Sequence, residues 1–498
     1  MKVTKPPKIE NVLLDNVLTK IANLFEQLLP EANQQIQQLE NTLVSETEKE
    51  TAGKPLKTVG LNFHLPQEQT LHEAEALYKE YYSLITTHKA TDSQGRYLYW
   101  DKIKYKYGKQ AELVWAATKI NRLAGKKKIT CFPNHEFSFC VPDSMQALLH
   151  FIDQKCGSHI LLSDGVILSE ADKKTLMMEE SITSAQLEGA VTTRQAAKEL
   201  LESRRKKPKD KHERMIVNNH RLMQKAVGLK GEPLSIDLIL SLHRTATEDA
   251  IDNQAVSGEF RQSDDIHIAD YDGNHIYQPP KFSEVPQLMQ SLCDFANTEH
   301  DGINNALFIH PVAKAIMLHF FIGYIHPFGD GNGRTARALF YWFMLKNGYT
   351  LFEYISISRL LNKAPARYAQ SYLYTESDDL DLTYFIYYQL DIIKRAISDL
   401  QAYVKRQSAE LQNFTAQITR FAKTNGLNRR QIEILQIAVK EPGRIFTVKD
   451  VSAQFQTAEN TSRSDLKKLS GLGLMETLKT GNAVDFIAIE DLKERLKQ

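Results

Sequence analysis

Twelve consecutive residues, His326–Arg337 (HPFGDGNGRTAR), gather the side chains best able to do chemistry. His326 stands at the end of a predicted apolar helix, before Pro327, which breaks the helix and can orient the ring outward. Gly329, Gly331 and Gly333 let the backbone turn tightly and present its N–H groups. A second helix is predicted to begin near Asn332–Arg334, and amides at a helix N-terminus form an anion site. Asp330 offers a carboxylate to a divalent cation bridging phosphates. Arg334 and Arg337, three residues apart, share a helical face and can point at the same anion. A histidine base, a metal-holding carboxylate, an amide cradle and two arginines suit phosphoryl or nucleotidyl transfer.

The stretch resembles the signature of the Fic (filamentation-induced-by-cAMP) family, HxFx(D/E)GNGRxxR. Each fixed position is met: His326, Phe328, Asp330, Gly331, Asn332, Gly333, Arg334 and Arg337. The resemblance implies an all-helical Fic core over roughly 170–405 and protein adenylyltransferase activity with ATP as substrate. In that reading His326 is the base that deprotonates a Ser, Thr or Tyr hydroxyl on a protein target or on the chain itself. Asp330 holds Mg²⁺ against the phosphates. Gly331, Asn332 and Gly333 form the anion hole, and Arg334 and Arg337 bind phosphates, Arg337 nearest the γ-phosphate. Phe328 is read as packing. Transfer of AMP then releases pyrophosphate, with positioning supplying most of the rate.

Two further segments take meaning from this resemblance. Ile266, Ile268, Ile276 and Tyr277 flank Asp272-Gly273, a strong hairpin signal in its own right. In the family such a hairpin is a flap that docks the target by strand addition, here through Ile266, His267 and Ile268, with His267 exposed and not catalytic. Upstream, Ser184 and Glu188 lie four apart on one helical face, followed by Gly189. Alone this is surface polarity. Ahead of a Fic motif it resembles the inhibitory helix (S/T)xxxE(G/N) of the class II arrangement. It implies a bidentate Glu188–Arg337 contact that keeps Arg337 from the γ-phosphate. In some family members the same glutamate positions water to remove AMP, so de-AMPylation stands as an alternative. Another Fic-type transfer, of UMP or phosphocholine, is a further one.

The elements that must position these residues are mostly helical. A length of 498 residues suggests about three domains. They are read as a mainly helical domain over 1–165, a Fic domain over 166–405 with its inhibitory helix at about 173–202, and a winged helix-turn-helix over 425–498. Helices are expected at Leu13–Leu28, on either side of Gly108 (Tyr97–Lys106 and Glu112–Ala124), and at Met145–Asp153. A short strand region is expected around Pro133. Further helices are expected at Lys173–Glu202, Ile216–Val227, Ser235–Ala250, Phe282–Thr298, Ala306–Ile325, Arg334–Asn347 and Asp381–Ala402. Ser203–Arg214 is a charge run read as a solvated linker or helix face. His310 and His319 are read as core histidines. Tyr368 and Tyr372 either line an adenine pocket or pack.

The C-terminal pattern is a helix at Arg429–Lys440, a short strand, two helices around Gln456–Glu459, and a two-stranded wing around Gly481-Asn482. Arg463, Lys467 and Lys468 on the second of those helices would face DNA. From Phe421 to Gln498 there are 13 Lys+Arg and 10 Asp+Glu, a modest excess for a DNA reader. A protein-interaction or dimer module is the other reading. A DNA-binding regulator whose Fic core senses nucleotide is the competing function class.

Composition narrows the choice. Lys+Arg 62 against Asp+Glu 61 argues against a chain that is basic throughout. Apolar residues at 42% and charged residues at 25% are globular values. Gly 23 and Pro 16 are few for this length, which favours helix. Cys131, Cys140, Cys156 and Cys293 show no CxxC spacing and read as reduced thiols. The N-terminus has no apolar signal-peptide core, and the longest apolar run, about Ala315–Ile325, is too short to span a bilayer. A cytoplasmic protein without membrane contact, forming a homodimer, is the expectation.

Overall fold

The computed structural model describes residues 3–8, 82–156, 170–202, 207–251, 255–269, 275–440, 443–480, 483–489 and 491–496, with single residues 34, 37, 76 and 79. The helix expected at Leu13–Leu28 and the turns at Asp272-Gly273 and Gly481-Asn482 lie outside the described residues. The described residues up to 397 form one compact unit and those from 398 another. The boundary expected near 165 does not divide the first unit. Its N-terminal part is fastened by buried bonds to residues 378–384: Tyr97 Oη donates to Asp381 at 2.6 Å, Lys119 Nζ to Asp378 at 2.8 Å, and Arg122 Nη1 to Tyr384 Oη at 2.7 Å.

The first unit is mainly helical. It starts with α1 (Trp100–Tyr107), α2 (Ala111–Leu123), the antiparallel pair β1 (Lys127–Ile129) and β2 (Phe137–Phe139), and α3 (Asp143–Cys156). Then come α4 (Glu170–Leu187), α5 (Arg194–Glu202), α6 (Lys211–Gly228) and α7 (Ile236–Thr247). The hairpin β3 (Ile268–Ala269) and β4 (His275–Tyr277) follows, paired Ile268 with Tyr277 and Ala269 with His275. After it run α8 (Val285–Asn297), α9 (Pro311–Ile325), α10 (Asn332–Lys346), α11 (Ser358–Lys363), α12 (Pro365–Ser377) and α13 (Thr383–Asn425), of which the residues up to 397 belong to this unit and the rest to the second.

Local chemistry explains where these helices differ from expectation. The single helix predicted over Lys173–Glu202 is two helices. Gly189 takes a left-handed φ of 91°, and Ala190 N–H returns to Ala185 O at 3.0 Å, which closes α4. Glu188 is therefore at a helix tip rather than mid-helix. α6 starts five residues earlier than expected because Asp210 Oδ1 accepts from Glu213 N at 2.9 Å and Glu213 Oε2 from Lys209 N at 2.8 Å. The charge run thus ends as a capped helical turn. α9 starts at Pro311 rather than Ala306. Asp301 Oδ1 accepts from the amides of Ile303, Asn304 and Asn305 and curls that stretch, while His310 caps a helix with Pro at its first position.

α9 and α10 pack on each other and are buried on nearly all sides, as befits central helices. The twelve-residue motif is the link between them, so its geometry is set by two buried, mutually packed helices.

In the second unit, α14 (Arg429–Lys440), β5 (Ile445–Phe446), α15 (Val448–Phe455), α16 (Glu459–Gly471), β6 (Met475–Thr480), β7 (Ala483–Ala488) and α17 (Leu492–Arg495) follow in order. The antiparallel sheet runs β5–β7–β6. Ile434, Leu435, Val451, Leu466, Leu469 and Phe486 form its core. Buried Asp465 on α16 accepts from Asn428 Nδ2, Arg430 Nε and Gln431 Nε2, each at 2.8 Å, and ties α16 to α14. Arg463, Lys467 and Lys468 are all exposed, and Lys468 Nζ donates to Gly426 O at 2.6 Å. No helix among the described residues is long and apolar enough to cross a membrane.

Candidate active site

His326 ends α9 in the left-handed conformation, φ 50° and ψ 57°, with its N–H on Ile322 O at 3.0 Å. That conformation is costly for a residue with a Cβ and persists where surroundings enforce it. Here Arg261 enforces it: its Nε donates to His326 O and its N–H to Pro327 O, both at 2.9 Å. The half-buried ring turns Nδ1 to Gly323 O at 3.3 Å. A carbonyl only accepts, so Nδ1 carries the proton and Nε2 keeps a lone pair. Burial lowers the imidazole to about 4, against the hydrogen bond to Gly323. The ring is neutral at ordinary pH and can receive a proton.

The loop after His326 is braced from within. Asn332 Oδ1 accepts from Phe328 N at 3.0 Å and its Nδ2 donates to Phe328 O at 2.8 Å. The Asn332 side chain is thus spent on the loop, and only its backbone N–H is offered to an anion. Gly331, at φ 81°, is the N-cap of α10. Asp330 Oδ1 accepts from Gly331 N at 2.5 Å and from Arg334 Nη2 at 3.0 Å. Arg334 Nη1 donates to Ala246 O at 2.7 Å, and its Nε is buried without a partner among the described residues.

Asp330 fits a magnesium ion held jointly with phosphates. Its carboxylate is partly exposed, and no group of three or more acidic, His or Cys side chains that could cage an ion is present among the described residues. Magnesium is commonly held in this way, by one or two carboxylates plus substrate oxygens.

The predicted meeting of Glu188 and Arg337 is present in different detail. Arg337 Nη1 stands 3.0 Å from Glu188 Oε1. The contact is not bidentate, because Arg337 Nε donates to Ser184 Oγ at 2.8 Å and Nη2 to Ser184 O at 3.0 Å. The guanidinium is 1% exposed and the carboxylate 25%. Burial works against the arginine's charge, and Glu188, Tyr368 and Glu180 together more than offset it and raise its pKa. A Cβ on Gly333 would collide with Glu188 Oε1 and come within 3.0 Å of Arg337 Nη1. The Glu188 carboxylate therefore lies against the first turn of α10, where the helix dipole favours negative charge. It occupies the position suited to a phosphate.

Two residues that sequence reasoning missed hold this arrangement. Glu180, one turn before Ser184 on the same face, is 1% exposed and accepts from Ser356 Oγ at 2.8 Å, Ser358 N at 3.0 Å and Ser358 Oγ at 2.5 Å. Its signal was the spacing 180, 184, 188. His243 on α7 touches the Asp330 backbone, and nothing in its spacing distinguishes it from a packing histidine. His319 is buried, with Nε2 2.7 Å from Tyr368 Oη. Tyr372 stacks on Phe320 with centroids 5.1 Å apart. Both tyrosines are half-buried.

The hairpin sits beside the motif. Tyr277 Oη donates to Tyr324 O at 3.1 Å. Ile266 is half-buried, with its Cδ1 3.9 Å from where a Gly329 Cβ would stand. His267 is exposed and Ile268 half-buried.

Residues 233–344, which hold the hairpin and the motif, match the Fic/DOC family. Protein adenylyltransferase Fic of Drosophila melanogaster is 31% identical over 187 residues, covering 36% of this chain and 34% of that protein. The Drosophila virilis protein of the same name is 34% identical over 111 residues, covering 22% and 20%. The chain spans about a third of the length of the curated relatives it matches. Among solved structures, a Fic family protein from Desulfovibrio desulfuricans G20 is 15% identical with a TM-score of 0.45, covering 70% of this chain and 95% of that one. Fic-1 (residues 134–508) from C. elegans is 17% identical with a TM-score of 0.42, covering 78% and 99%. Residues 233–344 thus match the Fic/DOC family, and the chain is distantly similar to the Drosophila adenylyltransferases. Ser184 and Glu188 lie outside that segment.

Proposed function

We propose that the chain is a protein adenylyltransferase that transfers AMP from ATP to a Ser, Thr or Tyr hydroxyl of a protein target or of itself, restrained by Glu188. The observation that carries this reading is the Glu188 carboxylate seated between Arg337 and the first turn of α10, within a motif that also presents Asp330 and the free Nε2 of His326. A carboxylate in an anion site is a stand-in for a phosphate.

In this reading, release of Glu188 frees Arg337 and the amides of Asn332, Gly333 and Arg334 to hold phosphate oxygens. Magnesium at Asp330 supplies charge neutralisation on the phosphates. His326 Nε2 takes the proton of the attacking hydroxyl, whose oxygen bonds to the α-phosphorus. The bond from that phosphorus to pyrophosphate breaks, and pyrophosphate leaves. The neighbouring hairpin, through Ile266 and Ile268, is read as the edge on which an extended target strand adds. The second unit is read as a winged-helix module for a protein partner or a homodimer, since one of its three expected DNA-facing cations is tied to Gly426.

The test uses ATP labelled on the α-phosphate, with Mg²⁺, and three full-length proteins: unaltered, Glu188→Gly, and Glu188→Gly with His326→Ala. Label on the second alone supports transfer, restraint and base together. Label on none, with ATP still bound, refutes adenylyl transfer and favours AMP removal.

A further inference from the structure

His243 is fully buried, and both nitrogens of its ring are used. Nδ1 accepts the N–H of Gly258 at 3.0 Å. The ring proton is therefore on Nε2, which donates to the backbone carbonyl of Asp330 at 2.8 Å. The imidazole lies flat on Phe328, with centroids 3.7 Å and planes 3° apart. A Cβ on Gly331 would stand 3.2 Å from Nε2. One ring thus meets the motif loop at residues 328, 330 and 331. Its other nitrogen holds a turn that leads into the hairpin. Three residues beyond that turn, Arg261 makes the parallel fastening to His326 O and Pro327 O.

This is more than packing requires. A phenyl ring would serve the stack on Phe328 equally well, but it would leave the Gly258 amide and the Asp330 carbonyl without partners. The Asp330 carbonyl belongs to the peptide whose N–H, from Gly331, donates to the Asp330 carboxylate. The orientation of that peptide therefore sets where the carboxylate and the α10 amides aim.

We infer that His243 is a positioning residue: by donating to the Asp330 carbonyl and accepting from the Gly258 amide, it fixes the 330–331 peptide so that the Asp330 carboxylate and the α10 amides converge on one phosphate-binding point. The inference rests on the adenylyltransferase reading for its catalytic consequence, and on geometry alone for its structural one.

The experiment uses the full chain carrying Glu188→Gly as parent, with His243→Phe, His243→Gln and His243→Asn added singly. Phe keeps the stack and loses both bonds. Gln keeps a donor near the Nε2 position, and Asn an acceptor near Nδ1. Amide hydrogen exchange without ligand, the KM for Mg–ATP and kcat are measured. In His243→Phe, exchange at Gly258 rises by about tenfold or more, and kcat falls by on the order of 10²-fold, as a displacement of about 1 Å would give. His243→Gln recovers most of kcat while Gly258 still exchanges fast. His243→Asn protects Gly258 and does not recover kcat. Unchanged exchange and kcat in His243→Phe, or a Gln variant no better than Phe, overturns the inference. If His243→Phe fails to fold, the order of Gln over Asn in kcat decides, and the reverse order refutes it. If the parent transfers no AMP, the adenylyltransferase reading fails. Exchange at Gly258 in Phe and Asn then still decides the structural claim.

Discussion

Removing the Glu188 carboxylate should raise the proposed AMP transfer, by an amount the geometry bounds. At 3.0 Å from Arg337 Nη1, with an effective dielectric of about 20, the bare attraction is about 5.5 kcal/mol. The carboxylate is 25% exposed, so water screens part of it, and the usual worth of such a half-open pair is about 1–3 kcal/mol. A phosphate competing for Arg337 must overcome that much. If the restrained state is inactive, releasing it raises the initial rate by about 5- to 150-fold. The assay is the initial rate of AMP incorporation at fixed Mg²⁺ and ATP for the unaltered chain, Glu188→Gln and Glu188→Gly. Gln keeps the volume and removes the charge, so it should recover much of the gain. Equal rates in all three would refute the restraint. Full activation by Gly with none by Gln would refute the electrostatic reasoning and point instead to backbone freedom beside Gly189.

Glu180→Ala should leave the Ser356 and Ser358 donors unpaired and cost about 2–4 kcal/mol, read as a lower denaturant midpoint. By loosening α4 it should also raise AMP transfer by the otherwise unaltered chain, and an unchanged midpoint would count against the anchor. Gly333→Ala in the Glu188→Gly background should abolish Mg–ATP binding by calorimetry, because the new methyl stands where the carboxylate, and in turn a phosphate, must sit. His326 acts only when neutral, and its lowering to about 4 keeps it neutral as pH falls. Turnover of Glu188→Gly should stay nearly level from pH 8 to about 5.5, where a histidine at its ordinary value would be only about a tenth neutral. A fall centred near 6.5 would disprove the lowered value. His243 and His319, lowered by burial to about 4 and about 3, bind fewer protons folded than unfolded between pH 6.5 and those values. Stability should therefore decline as pH falls through that window, and a thermal midpoint that is flat from pH 6.5 to 4 would contradict this.

Much of the site was legible because its chemistry is contiguous. The glycines, the carboxylate and the arginines of 326–337 lie within three helical turns of one another, so short-range sterics and helix-end hydrogen bonding place them. The capped start of α7 follows from Ser235, which accepts from an amide three residues on, whereas the same signal at Asp210 was overlooked and α6 was expected five residues late. The face shared by Ser184 and Glu188 follows from helical spacing alone. The break at Gly189 and the late start of α9 were misjudged for local reasons too: a left-handed glycine and an aspartate that curls the chain ahead of Pro311.

Tertiary structure alone decided which groups meet. Arg337 reaches Ser184 across 153 residues of sequence, Glu180 finds Ser358 across 178, and His243 reaches the Asp330 carbonyl across 87. Spacing cannot foresee such contacts, because they depend on how whole helices seat against α9 and α10, which are buried on nearly every side. Nor could it foresee that Asn332 would brace its own loop, or that Ser184 would take two of the three guanidinium nitrogens bonded by α4 and the turn that ends it. Local sequence determined what the motif can do. The packing of distant helices decided what restrains it and what holds it in place.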